Sequence, residues 1–185
     1  MRLPALLELN AAKKPPFAGI INSVNTRLSE ALDKFDAGHI SKKTFLKRSK
    51  AILGSGYKKA YLHGAGLAKL DADGNDFVDQ FSDKQFSYLD SFADDIEAGS
   101  GKMDYYDRLG MYAKAVQSAY WAGAAADAPE GTMINWVTTA NESCEDCLDF
   151  ESNGPYLPGE VPAVPGDGTT RCRSNCKCYL VKVNQ

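Results

Sequence analysis

The stretch FAGIINSVNTRLSEALDKFDAGH, residues 17–39, sets the fold class of this 185-residue chain. Its apolar residues recur at three- and four-residue intervals, which is the period of one face of an α-helix. They are Ile20, Ile21, Val24, Leu28, Leu32 and Phe35. Gly38 follows, and glycine is the residue that most often takes the left-handed conformation at a helix C-terminus. The stretch therefore predicts an amphipathic helix that buries one face in a core.

Three more helices are predicted along the chain up to Pro129, which cannot continue a helix. Ser41 caps the second, and the glycines at 54, 56, 64 and 66 predict a break or kink within residues 54–66. Apolar residues between Phe77 and Ile96 form the stripe of the third, and the fourth runs from about Met103 to Ala126. The fold class is therefore mainly α: a small bundle of about four helices over residues 17–128, preceded by an extended arm at 1–16.

The C-terminal residues, 129–185, have the composition of a small β module. The segment TMINWVTTA at 132–140 is rich in β-branched residues, the chain finishes with CYLVKV at 178–183, and residues 150–170 are dense in Pro and Gly. Two short strands on either side of such an excursion predict a β-hairpin. A module of this size buries too little apolar surface to fold alone, so it needs covalent or metal cross-links.

All five cysteines lie in this module, and their spacing predicts a metal site. Cys144-x2-Cys147 is followed, after a gap of 24 residues, by Cys172-x3-Cys176-x-Cys178. A C-x-x-C turn directs two sulfurs at one point, and a second pair on a neighbouring strand completes a tetrahedral site with Zn–S distances of about 2.3 Å. One structural zinc ion is the expected cofactor. The preferred ligands are Cys144, Cys147, Cys172 and Cys176, with Cys178 as the competing fourth ligand.

Two other interpretations of the cysteines remain open at this point. In an oxidising compartment, disulfides such as Cys144–Cys172 or Cys147–Cys176 would leave one thiol over. A thioredoxin-like redox role requires a C-x-x-C at the start of a helix within a βαβ unit, and the predicted context here is a turn. Glu145 and Asp146, between the two cysteines, also disfavour an activated thiolate.

The net charge of −3 conceals a polarised chain. Residues 1–70 carry 13 Lys and Arg against 4 Asp and Glu, whereas residues 71–150 carry 4 against 17. This asymmetry favours contact with nucleic acid, with a charged partner protein or with another copy of the chain, unless the charges cancel within the fold. No apolar run reaches the roughly 18–20 residues that cross a bilayer, and the N-terminus lacks the features of a signal peptide. The prediction is a protein without a membrane partner, made in a reducing cytosol.

No motif elsewhere in the sequence predicts catalysis. The segment DADGND at 71–76 resembles the start of a calcium loop, but Asp76 stands where glycine is needed, so the segment is interpreted as a turn that caps the third helix. His39 and His63 lie near predicted helix ends without a nearby nucleophile. The chain is therefore predicted not to be an enzyme.

The C-terminal pattern resembles a known family. Trp136, then CEDC at 144–147, then NGPYLPGEVPAVPGDGTTRCRSNCKCYL at 153–180 is similar to the tail of minor-capsid, or head-morphogenesis, proteins of tailed bacteriophages. The resemblance covers about 50 residues, with NCKC where the family often has NCRC. Arg173 stands near the place of the family's histidine, and Cys172 offers a substitute ligand.

The resemblance implies a structural protein of the virion, made in the host cytoplasm and placed in the head or near the portal. Its partners would be capsid, portal or neck proteins and further copies of itself. The basic N-terminal half could then contact packaged DNA. An alternative within this interpretation is a head–tail connector, neck or capsid decoration protein whose cysteines form disulfides. A second alternative, of a different class, is a nucleic-acid-binding zinc module.

Overall fold

The computed structural model describes residues 15–129, 131–139 and 143–184, so nearly all of the predicted N-terminal arm lies outside the described residues. The described residues form a helical bundle followed by a two-stranded antiparallel sheet, which confirms the predicted fold class. The helices are α1 (Ala18–Asp36), α2 (Lys42–Ala65), α3 (Ala72–Glu97), α4 (Tyr105–Lys114), α5 (Val116–Ala126) and α6 (Glu145–Asn153), and the strands are β1 (Thr132–Val137) and β2 (Tyr179–Asn184). Short 3-10 turns occur at Pro158–Glu160 and Arg173–Asn175.

The ends of α1 and α2 follow from local chemistry. Gly38 has φ +70°, the left-handed conformation predicted from the sequence, and it lets the chain reverse after α1. The Ser41 hydroxyl accepts a hydrogen bond from Thr44 N at 3.3 Å and caps α2. The apolar face predicted for α1 is confirmed at Ile20, Val24 and Leu28, all of which are buried in the main core.

The predicted break within residues 54–66 is wrong, because α2 runs without interruption to Ala65 and ends at Gly66 in the left-handed conformation. Two of the glycines instead permit close contacts between helices. A Cβ atom on Gly64 would lie 2.0 Å from the carbonyl oxygen of Tyr120 in α5, and one on Gly56 would lie 2.6 Å from the Val24 side chain in α1. Close packing of α2 against α1 and α5 therefore outweighs the low helix propensity of glycine.

The segment at 71–76 caps α3, as the sequence predicted. The Asp71 carboxylate accepts a hydrogen bond from Gly74 N at 2.8 Å and satisfies one of the unpaired amides of the first turn. Its role is that of a helix cap.

We expect Asp71→Ala to lower the free energy of unfolding by about 1 kcal/mol, the usual effect of losing a capping side chain. Asp71→Asn should keep most of the parent's free energy of unfolding, because the amide oxygen can accept the same hydrogen bond. Urea unfolding followed by circular dichroism measures both. Equal losses for the two variants would contradict the capping role.

The predicted fourth helix is two helices that meet at Ala115. Ser118 N donates to the carbonyl oxygen of Ala115, three residues earlier, at 3.1 Å, so the regular four-residue pattern is interrupted there. Leu109 of α4 and Val116 of α5 are both fully buried in the main core. The predicted stretch is therefore helical on both sides of one irregular residue.

Part of the charge asymmetry cancels between α2 and α3. Lys50 pairs with Asp90 at 2.9 Å, and Lys42 pairs with Glu97 at 3.2 Å and also contacts Asp94. Other cations of the basic half remain exposed; on α1 and α2 they include Arg27, Lys34, Lys43, Lys47 and Arg48. Cancellation within the fold thus accounts for two lysines and leaves a basic surface that lies mainly on α2, since α1 also carries exposed Glu30, Asp33 and Asp36.

The antiparallel sheet pairs Thr132 with Asn184 at one end and Val137 with Tyr179 at the other. Ile134 also exchanges two backbone hydrogen bonds with Tyr156, at 2.8 and 2.9 Å, so a third segment lies along the other edge of β1. Trp136 is fully buried and packs edge-on against Phe150 of α6, with ring centroids 5.1 Å apart. This small core positions the cysteines around the sheet.

The module also packs against α4 and α5. Ser118 donates to the carbonyl oxygen of Pro165 at 3.2 Å, Lys114 donates to the Asn175 side chain at 3.0 Å, and Lys182 of β2 pairs with Asp127 at 3.6 Å. Contacts therefore cross the predicted boundary between residues 128 and 129. Within the described ranges, no helix combines the length and the apolar character required to span a lipid bilayer.

Candidate metal centre

The first half of the centre lies at the N-terminus of α6. Cys144 is the N-cap residue and Cys147 lies in the first turn, so the C-x-x-C begins a helix where the sequence predicted only a turn. The unpaired amides and the dipole of a helix N-terminus favour negative charge on nearby sulfur. Glu145 and Asp146 occupy the same turn, where acidic residues also stabilise a helix. The N-cap and first turn of this helix thus supply two of the five sulfurs.

The second half lies around the 3-10 turn at Arg173–Asn175. Cys172 precedes this turn, Cys176 follows it and Cys178 immediately precedes β2. Arg171 connects this segment to α6, because its backbone N–H donates to Asp146 at 2.7 Å and its guanidinium pairs with Glu145. The two acidic residues between the cysteines therefore fix the position of the opposite half of the site.

Four of the sulfur–sulfur distances match edges of a tetrahedral metal site. Four thiolates at about 2.3 Å from one zinc ion lie about 3.8 Å from one another. The Cys144 Sγ atom is 3.5 Å from that of Cys147 and 3.6 Å from that of Cys172. The Cys147 Sγ atom is 3.7 Å from those of Cys172 and Cys176. Four of the six edges expected for the preferred ligand set thus have the required length within about 0.3 Å.

The five sulfurs form two overlapping triads that share Cys147. Cys144, Cys147 and Cys172 make the first, and Cys147, Cys176 and Cys178 make the second, with sulfurs within 4.8 Å of one another in each. Cys178 Sγ also lies 3.7 Å from the hydroxyl of Ser143, which gives it a polar neighbour outside the cluster. All five sequence-predicted residues are brought together, and this cluster can hold a metal ion.

The same distances do not fit disulfide bonds. A disulfide joins its sulfurs at about 2.05 Å, whereas the Cys144 and Cys147 sulfurs are 3.5 Å apart. All five cysteines are free thiols. The bridges considered from the sequence, Cys144–Cys172 and Cys147–Cys176, correspond to separations of 3.6 and 3.7 Å.

Burial sets the proton affinity of the thiols. Cys147, Cys176 and Cys178 are buried, while Cys144 and Cys172 are partly exposed. Burial raises the pKa of Cys147 and raises that of Cys176 to about 12. Burial also opposes ionisation of Cys144, but its hydrogen bonds with the backbone N–H groups and with the thiols of Cys147 and Cys172 together lower its pKa. The pKa is therefore raised at the buried thiols of Cys147 and Cys176 and lowered at that of Cys144.

A second layer of hydrogen bonds orients the ligands. Gln117 of α5 donates from Nε2 to the carbonyl oxygens of Cys176 and Cys178, at 3.0 and 3.5 Å. The Thr170 hydroxyl lies 3.2 Å from Cys172 Sγ. Such partners position metal ligands and tune the metal. Sequence analysis missed Gln117, because nothing in the α5 sequence marks one polar residue as facing a site about 60 positions away.

The fold and the site define a class: a helical bundle carrying a cysteine-rich β module that can hold a metal ion. Neither His39 nor His63 belongs to a metal-binding cluster within the described part of the chain. β1 and β2 are antiparallel neighbours, which differs from the parallel βαβ unit of a thioredoxin-like site. Comparisons with protein-family models, with curated proteins and with solved structures found no match to this chain.

Proposed function

We propose that this chain is a non-enzymatic structural protein of a tailed-phage virion that acts in head assembly near the capsid or portal. One structural zinc ion holds its C-terminal module. The observation that carries the proposal is the convergence of all five cysteines in two overlapping sulfur triads, in the segment whose sequence resembles phage minor-capsid proteins. The protein is made in the host cytoplasm, where thiols stay reduced and available to a metal.

Zinc is the metal that best suits the ligands. Four sulfurs in a tetrahedral arrangement select zinc or an iron–sulfur cluster, and sites built from four cysteines are characteristic of structural zinc. The module has a small apolar core around Ile134, Trp136 and Leu180, so metal binding supplies folding free energy that burial alone does not.

The proposed role is structural because the site leaves no open coordination position. Catalytic zinc has three protein ligands and an exchangeable water, whereas a set of four cysteines fills all four positions. The carbonyl oxygens of Cys176 and Cys178 both accept hydrogen bonds from Gln117 of α5. A metal bound by the cysteines would therefore hold this segment of the β module in place against α5. Zinc would thereby fix one surface of the module relative to the bundle, as assembly with a neighbour requires.

The charged surfaces provide the contacts with neighbouring subunits. Asp73, Asp76, Asp79 and Asp83 lie at three- and four-residue intervals along α3, where they make an acidic stripe. The exposed basic residues of α1 and α2 make a surface of opposite charge on the same molecule. Opposite surfaces on one chain favour head-to-tail contact between copies, or contact of each surface with a different virion protein.

Zinc uptake is expected to release protons. The pKa values of Cys147 and Cys176 are raised in the metal-free cluster, so these thiols are protonated at neutral pH and must ionise to bind zinc. These two thiols alone should release about two protons per ion, and zinc affinity should fall steeply as the pH is lowered. Calorimetry in two buffers of different ionisation enthalpy measures the number of protons released per zinc ion bound. Release of less than about one proton would contradict a thiolate site.

A second candidate function is contact with nucleic acid through the basic surface. Arg27, Lys34 and Arg48 line a shallow groove of about 270 Å³ between α1 and α2. Phosphate contacts release counterions, so duplex binding through this surface should weaken strongly between low and moderate salt. Binding that is insensitive to salt, or no binding, would argue against this function.

The virion assignment is tested on purified particles of the phage whose genome carries the sequence. Immunoblots of gradient-purified virions, run with and without reductant, report residence in the particle and the state of the thiols. We expect the chain in the particle, with the same mobility in both gels. A chain abundant in the lysate but absent from particles would overturn the assignment, and a reductant-dependent shift would favour the disulfide-linked neck or decoration protein.

A further inference from the structure

A cleft of about 910 Å³ lies between α3, α4 and the loops of the C-terminal module, and it includes residues of the turn between Cys172 and Cys176 whose side chains are not zinc ligands. α3 contributes one wall from Lys84 to Asp95, which spans about 16 Å along the helix. Met111 and Tyr112 of α4 also line the cleft, and Gly166–Gly168 with Arg173 and Ser174 come from the module. The volume is in the range of small-molecule clefts, roughly 300–1,000 Å³.

The cleft has an excess of positive charge. Its lining includes four cations, Lys84, Lys102, Arg108 and Arg173, and two carboxylates, Asp95 and Asp167. Asp95 pairs with Arg108 at 2.5 Å, so these two cancel. The Asp167 carboxylate accepts from the backbone N–H groups of Val164 and Thr169, at 3.2 and 2.8 Å, and holds its own loop.

Three cations are left without a carboxylate partner among the described residues. Lys84 reaches only the backbone oxygen of Asp167, at 3.5 Å, and Lys102 and Arg173 form no ion pair with a described residue. Arginine and lysine in such an arrangement recognise phosphate or carboxylate, arginine with two parallel hydrogen bonds. The charge of the cleft therefore complements an anion.

Arg173 has an unfavourable backbone conformation for a residue with a side chain. Its φ is +50°, and it is the one non-glycine residue with positive φ in the described ranges. Glycine would adopt this conformation at no steric cost. A strained arginine that lines a cleft points to a use for its side chain, since such strain is concentrated at functional positions.

The rest of the lining suits a flat apolar body. The Tyr88 side chain is 54% exposed and Met103 is 48% exposed, although both are large hydrophobic residues bordering the cleft. Ser174 adds a buried hydroxyl with no hydrogen-bond partner among the described residues. An aromatic ring in a positively charged cleft is the combination that binds a nucleobase and its phosphate together.

We propose that this cleft binds a nucleotide, with Arg173, Lys84 and Lys102 on the phosphate groups and Tyr88 and Met103 against the base. The site goes beyond the proposed structural function and is independent of the basic surface on α1 and α2. The nucleotide could be a free mononucleotide or part of a single-stranded nucleic acid, which present the same chemistry to the cleft.

The test titrates the zinc-loaded full chain with fluorescent AMP and ATP analogues and with a labelled single-stranded hexanucleotide, using inorganic tripolyphosphate as a competitor without a base. Arg173→Gly removes the guanidinium while relieving the backbone conformation, so this variant should be as stable as the parent or more so. Lys84→Ala and Tyr88→Ala remove a second phosphate contact and the ring. Lys69→Ala, an exposed lysine of the α2–α3 loop, is the matched control.

We expect saturable nucleotide binding that weakens about tenfold in each of the three cleft variants and is unchanged in Lys69→Ala. Binding of mononucleotides identifies the free ligand, and binding of the hexanucleotide alone identifies single-stranded nucleic acid. The proposal is overturned by absence of saturable binding to either probe. It is also overturned if tripolyphosphate competes as well as ATP while Tyr88→Ala has no effect, or if all four variants bind alike.

Discussion

Cys147→Ser is expected to abolish stoichiometric zinc binding and to unfold the C-terminal module. Cys147 is fully buried and is the one residue that belongs to both sulfur triads. Structural zinc contributes roughly 10–16 kcal/mol of binding free energy in small zinc modules, so one of four thiolates accounts for about 3 kcal/mol or more. Zinc affinity should therefore fall more than about a hundredfold. Competition with a chromophoric chelator measures the affinity, and the tryptophan fluorescence of buried Trp136 reports the folding of the module.

Cys178→Ser is the matched control for that experiment. It removes a buried thiol from the same cluster, but Cys178 lies beside the Ser143 hydroxyl and is the sulfur left over from the preferred ligand set. We expect this variant to retain about one zinc ion, whereas Cys176→Ser should lose it. If Cys178→Ser loses zinc and Cys176→Ser retains it, Cys178 is the fourth ligand. Full zinc binding by Cys147→Ser would contradict the site.

Gly123→Ala and Gly64→Ala are each expected to lower the free energy of unfolding by about 3 kcal/mol or more. An added Cβ on Gly123 would lie 2.2 Å from the carbonyl oxygen of Tyr61, and one on Gly64 would lie 2.0 Å from that of Tyr120. The obstructing atoms belong to the backbone, so no side-chain rotation relieves the clash and the crossing of α2 and α5 must open. Urea unfolding followed by circular dichroism measures the loss.

Gly110→Ala provides the control for helix propensity. Gly110 lies within α4, and its added Cβ would meet no atom within 4 Å. Alanine should therefore stabilise the protein by about 0.5–1 kcal/mol. If the Gly64 and Gly123 variants were as stable as Gly110→Ala, the close contact of α2 with α5 would not exist as described.

Helix ends were predictable where one residue supplies the signal. Ser41 and Asp71 cap helices through their own side chains, and Gly38 reverses the chain through its own backbone conformation. These effects act over three or four residues, so the sequence contains them in full. The hairpin was predictable for a similar reason, because β-branched strands and a Pro- and Gly-rich excursion are local properties.

The continuity of α2 was not predictable from local properties. Gly56 and Gly64 weaken a helix considered alone. They stabilise the fold by leaving room for Val24, Val116 and Tyr120, which approach them only in the folded bundle. The short helix α6 was missed for a different reason. Its acidic first turn is a helix N-terminal signal, but in a nine-residue helix with Cys147 as its one buried residue, no apolar stripe reinforces it.

The members of the candidate metal site could be predicted, because cysteine chemistry and spacing mark them. The choice between Cys176 and Cys178 could not, since both sulfurs are buried beside Cys147 and the choice depends on contacts such as that with Ser143. The proposed nucleotide cleft could not be predicted from the sequence either, because it depends on contacts between distant segments. Lys84, Lys102 and Arg173 come from three separated segments, and the packing of the module on α3 and α4 alone brings them together.

Elemental analysis of the full chain, purified under reducing conditions without a metal-affinity tag, tests the central claim most directly. We expect about one zinc ion per chain, lost on treatment with a strong chelator under denaturing conditions, and an intact mass that retains the hydrogens of all five thiols. A chain without zinc whose mass is lower by two hydrogens for each disulfide would contradict the metal centre.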